Sequence, residues 1–154
     1  MAISVTTAMP TSFKVEILQA VHNFTASTGN TFKLALMKAT AAGSGTYGAA
    51  TTSYTDLTGN SDEVANGNGY TTGGNALTSA TPVADGTTAV CDFDNTTWSG
   101  ATFTTCGGII YNDTAAGDPA CAVLSFGGDQ SVSSGDFQIQ FPSPAASTAI
   151  IRIA

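Results

Sequence analysis

Charge is what this sequence has least of. Only 10% of its 154 residues are charged, with four Lys and Arg against eleven Asp and Glu, for a net −7; an ordinary soluble domain carries about 25% charged residues. Four cations cannot coat a phosphate backbone, which excludes nucleic-acid binding. The same shortage argues against docking on an anionic membrane. No apolar run approaches the roughly 18 residues a membrane-spanning helix needs. The opening Met1-Ala2-Ile3-Ser4 has no basic region, and no apolar run follows it. The expectation is therefore synthesis in a cytoplasm without a signal peptide.

Polarity comes instead from 25 Thr and 14 Ser beside 17 Gly, and 42% of residues are apolar. That is enough to build a core and excludes a disordered chain. The length fits one domain, residues 1–154.

One segment has helical spacing. Over 10–24, Pro10 suits a first helical turn, and Phe13, Ile17, Leu18, Val21 and Phe24 form one apolar stripe. The stripe predicts a helix packed on a sheet or on a neighbouring subunit. Beyond it the period becomes two. Phe32, Leu34 and Leu36 share a face, and residues 39–75, rich in Gly, Ala, Thr, Ser and Asn, read as an extended surface loop or arm, interrupted by a short strand or turn of helix around Tyr54–Leu57. Short strands are expected near Asn75–Ser79, Thr87–Asp94, Ala101–Tyr111, Ala120–Phe126, Asp136–Phe141 and Ala149–Ile153. Turn signals break them at Ala84-Asp85-Gly86, Ser99-Gly100, Asp113 to Gly117, Gly127-Gly128-Asp129 and Ser134-Gly135-Asp136. This pattern predicts a mainly β domain, an antiparallel β-sandwich of jelly-roll type with one N-terminal helix.

No catalytic motif stands out. His22 is the one histidine, on the expected helix beside its stripe, and no Ser lies in a Gly-x-Ser-x-Gly setting. The glycines form no phosphate cradle, so no cofactor is expected and the chain does not read as an enzyme. Asp92 and Asp94, with Asn95, could hold a hard cation, although solvent-facing strand residues are the simpler reading. Cys91, Cys106 and Cys121 lie 15 residues apart with no Cys-x-x-Cys, so zinc is not indicated. They read as small buried hydrophobes, with a later disulfide within or between subunits as the alternative. Trp98 and Tyr111 could stack on a sugar, or serve as core or interface aromatics.

Several segments taken in order carry a resemblance. They are Thr11-Ser12-Phe13-Lys14-Val15-Glu16-Ile17-Leu18-Gln19, Asn30-Thr31-Phe32-Lys33-Leu34-Ala35-Leu36, Gly69-Tyr70-Thr71-Thr72-Gly73-Gly74, Trp98-Ser99-Gly100-Ala101-Thr102-Phe103, Ile110-Tyr111-Asn112, Gly135-Asp136-Phe137, Phe141-Pro142 and Ile150-Ile151-Arg152. Over nearly the whole chain they resemble a family of small structural proteins of tailed bacteriophages and prophages. The cysteines are not part of that pattern.

The resemblance implies a virion component, with no enzymatic motif to transfer. Within it, the first expectation is a capsid decoration, or cement, protein that binds the phage major capsid protein on the capsid surface as a homo-oligomer, a trimer by expectation. Phe13, Ile17, Val21, Tyr47, Tyr54, Tyr70 and Trp98 are the contact residues expected of it. The alternatives are a tail, adaptor or sheath-associated virion protein and, in another class, a glycan-binding β-sandwich module.

Overall fold

The computed structural model describes residues 1–154. In chain order its elements are β1 (Ser4–Val5), α1 (Thr11–Leu18), β2 (Phe32–Lys38), a 3-10 turn (Thr40–Ala42), β3 (Thr46–Tyr47), α2 (Tyr54–Gly59), β4 (Asn75–Leu77), β5 (Val83–Asp85), β6 (Thr88–Cys91), β7 (Thr96–Asn112), β8 (Ala120–Ile139) and β9 (Ile151–Ile153). The protein is mainly β and antiparallel, as its alternation predicts; one short pair, β1 with β3, is parallel.

A four-stranded sheet, in the order β4-β2-β7-β8, is the middle of the structure. Strand β2 explains why. Phe32, Leu34 and Leu36 enter one apolar core, where they meet Phe13, Trp98, Cys91 and Ile151. The interleaved Ala35 and Met37 enter a second core with Ile3, Tyr47, Leu57 and Ile109. All five are fully buried. A strand covered on both faces loses the polar half of its alternation, which is why Phe32–Met37 contains only one charged residue, Lys33. The three-stranded sheet β5-β6-β9 supplies Cys91 and Ile151 to the first core. The β1–β3 pair and α2 supply Ile3, Tyr47 and Leu57 to the second.

Three expectations need correction. The helix is shorter than 10–24: it ends at Leu18, and Ala20 takes a left-handed φ of 58° that turns the chain back. Phe13 faces the core, but Leu18 is 88% exposed, and Val21 and Phe24 belong to the returning loop. Residues 39–75 are not a free arm. They hold the 3-10 turn, β3 and α2, and bury Tyr47, Leu57, Val64 and Tyr70. Finally, three of the turn signals do not end strands, because β7 and β8 run through them as one long ribbon.

Those signals are bulges. Between the pairs Thr105↔Gln130 and Gly107↔Ser125, β7 advances two residues and β8 five. The surplus holds Gly127 and Gly128, at φ 75° and 139°. Ser134 (φ 49°) and Gly100 (φ 60°) sit at two of the three smaller shifts. Glycine signals a turn because it tolerates φ > 0, and a bulge inside a paired strand uses the same tolerance.

Candidate functional site

Three clusters of buried polar groups are the first place to look for chemistry. In the first, Glu63 accepts from the Tyr54 hydroxyl (2.6 Å), the Tyr70 hydroxyl (2.7 Å) and the Gly73 N–H (2.6 Å). Tyr70 in turn accepts from the Leu36 N–H at 3.0 Å, and Tyr111 donates to the Gly73 carbonyl at 2.9 Å. Burial first, and the Glu63 carboxylate second, push the Tyr70 phenol far above its ordinary value.

In the second cluster, Asp62 accepts from the Tyr47 hydroxyl at 2.8 Å and the Gly45 N–H at 2.7 Å. Burial likewise pushes the Tyr47 phenol well up. Both carboxylates are fully engaged. They tie residues 39–75 together from within, and the Leu36–Tyr70 and Tyr111–Gly73 bonds join that segment to the sheet.

The third cluster surrounds His22, whose side chain is fully buried. Its ring packs against Phe13 with centroids 4.8 Å apart. Nε2 lies 2.9 Å from Glu16 Oε2 and Nδ1 lies 3.1 Å from Asn112 Nδ2. Asn112 Oδ1 already accepts from the Thr114 and Ala115 N–H groups. The amide therefore turns its NH2 to His22, and the network assigns Nδ1 as acceptor and Nε2–H as donor.

Cys121 Sγ is 3.7 Å from the same Nδ1. A thiol, an imidazole and a carboxylate in line suggest a nucleophile with its base. Two features oppose that use. The Nδ1 lone pair is occupied by Asn112, and burial raises the Cys121 thiol well above its ordinary value. Reactive cysteines need the reverse shift and access. The cluster works as a polar rivet joining the 19–24 loop to the β7–β8 hairpin.

The expected site residues are now placed. Phe13, Tyr47, Tyr70 and Trp98 are core residues, at most 2% exposed, so they cannot be free contacts. Ile17, Val21 and Tyr54 are half-buried. Trp98 packs with Tyr70, and Tyr111 stacks on Tyr54 at 4.5 Å. With Trp98, Tyr47, Tyr70 and Tyr111 inside, a sugar platform of the expected kind does not form.

All three cysteines are free and buried, and burial pushes Cys91 up to about 11. Asp92 is buried while Asp94 is exposed, so the pair does not converge. No three His, Cys, Asp or Glu side chains gather as a metal set.

What the surface does offer is an edge. Strand β8 pairs with β7 on one side only. Its first residues are covered by the N-terminal segment, through the Ala8↔Val123 bridge and the Ser125 N–H bond to Thr7 Oγ1. From Phe126 to Ile139 no strand lies on the outer side. Phe126, Val132, Phe137 and Ile139 are half-buried along it. Alternation identified the apolar side chains of this stretch, but its turn signals hid its continuity. No helix is long and apolar enough to cross a membrane. Comparison with protein families, curated proteins and solved structures finds no match.

Proposed function

We infer that this chain is a structural protein of a tailed-bacteriophage virion, a capsid decoration protein that binds the outer shell and bridges major capsid subunits. The observation that carries the reading is the uncovered edge of β8 from Phe126 to Ile139 with its half-buried apolar row. A long bare edge is a template for another chain's strand, and natural proteins leave one open where a partner covers it. The ordered segments that resemble phage structural proteins supply the biological setting, and the polar clusters, each internally satisfied, favour docking over turnover.

The physical logic is mass action. A protein that binds only the assembled shell stabilises that state, and many weak contacts on one particle add up. With so few charges the attachment is mainly apolar and depends weakly on salt.

The test is co-sedimentation of the protein with purified phage shells, with copy number by mass spectrometry. Hundreds of copies on heads, and loss of binding when Val132 and Ile139 are both replaced by Lys in a protein that still melts cooperatively, are expected. Tail-only location, absence from particles, or loss of binding between low and moderate salt would overturn the reading.

A further inference from the structure

A second surface feature lies at the other end of β8. Between its first residues and β9 runs a cleft of about 490 Å³, walled by Met9, Ala122, Leu124 and Ile150 and flanked by Arg152. The Arg152 guanidinium donates to the Ala146 carbonyl at 3.2 Å. No Asp or Glu carboxylate lies within 4 Å of it. Of the four Lys and Arg side chains only Lys33 pairs with a carboxylate, and Arg152 is the one cation that borders this apolar cleft. Strand β9 pairs only with β6, so its other edge is open beside the cleft. Apolar walls, an open strand edge and a free guanidinium suit an extended segment that alternates apolar side chains with a carboxylate.

The chain itself displays such a segment. Along the bare part of β8, Val132, Phe137 and Ile139 pack half-buried on the chain's own core, which leaves the backbone edge and the exposed Asp136 to meet a partner. Pairing of β8 with β8 of a second copy is less favourable. The antiparallel register that overlaps all of Phe126–Ile139 sets Asp129 opposite Asp136, and like charges directly opposite destabilise a sheet.

We propose that copies of this chain associate head to tail, the far half of β8 in one copy entering the Arg152 cleft of the next with Asp136 against Arg152. The contact is heterologous, so it closes into a ring if the rotation permits. It draws on the same far half of β8 that the shell-docking reading uses, so in any one copy that edge serves one partner at a time, while the Arg152 cleft belongs to self-association alone.

Sedimentation equilibrium of the isolated protein over a wide concentration range tests it. The wild type is expected to oligomerise. R152E and D136R alone are each expected to weaken association by on the order of tenfold or more, and the double exchange R152E/D136R to restore it. D136N removes the charge while keeping the Oδ1 that accepts from the Gly100 N–H, and R152Q removes the positive charge without reversing it. These two variants keep the test valid if a charge reversal fails to fold. A wild type that stays monomeric, an oligomer indifferent to every variant, or a double exchange that does not reassociate would overturn the proposal. Shell binding is scored separately, so either conclusion can fail alone.

Discussion

The Tyr70 hydroxyl donates to Glu63 Oε1 at 2.7 Å while accepting the Leu36 N–H at 3.0 Å. One phenol thus ties a loop carboxylate to the middle of the central sheet. Tyr70→Phe removes both bonds and leaves the buried Leu36 N–H unpaired. A buried group left without its partner costs about 1–3 kcal/mol. Chemical denaturation should show a loss of that size with an unchanged m-value, and faster hydrogen exchange in residues 61–74.

His22→Ala should be more damaging than its distance from any surface chemistry suggests. It empties a ring-sized space among Phe13, Phe24 and Phe32 and removes one of the two acceptors of the Asn112 NH2. Roughly 2–5 kcal/mol is the scale for large-to-small core changes. Cys121→Ala should cost less and abolish nothing. A thiol-dependent activity lost in both variants would refute the structural reading of this cluster.

Asp92 supplies the pH prediction. Its side chain is buried, Oδ1 accepts the Phe93 N–H at 2.9 Å, and Oδ2 has no partner. Burial raises its folded-state pKa, so the folded protein binds this proton more tightly than the unfolded chain does. Its stabilising effect is complete below the unfolded value, about 3.9, and is lost as pH rises through the folded one. Asp92→Asn should therefore raise the melting temperature at pH 7, with an advantage that shrinks on acidification. A variant less stable at pH 7 and unchanged at pH 4 would contradict this.

Gly74 has φ +76°, and a Cβ there would sit 1.8 Å from the Leu34 carbonyl oxygen. Left-handed strain alone costs of order 1–3 kcal/mol in a non-glycine residue, and β2 cannot retreat because both its faces are packed. Gly74→Ala should lower the thermal midpoint more than Gly59→Ala, where nothing lies within 4 Å.

The class of fold was legible because Phe137, Ile139 and Phe141 alternate with Gln138 and Gln140, a local signal of one buried face. The helix was legible only in part. Spacing of 3.6 continues through Val21 and Phe24 whether the chain stays helical or turns back at Ala20, and nothing in the residue types marks that reversal. The folded state of 39–75 was illegible for another reason. Its cohesion comes from Asp62 and Glu63 meeting tyrosine hydroxyls up to 15 residues away, and small polar residues read as loop until those partners are known. Bulges were mistaken for strand ends because both use the same backbone angles. Burial of the aromatics was not legible either: with little charge available, this chain places Tyr47, Tyr70, Tyr111 and Trp98 in the interior and leaves Tyr54 half-buried.

Strand β2 gives the molecule's two interiors a common wall. A lesion on either side reaches the other through the same seven residues, so neither half has an independent melting point. Calorimetry should record a single all-or-none transition, and a weakness introduced beside α2 should surface as lost protection around β6 and β9.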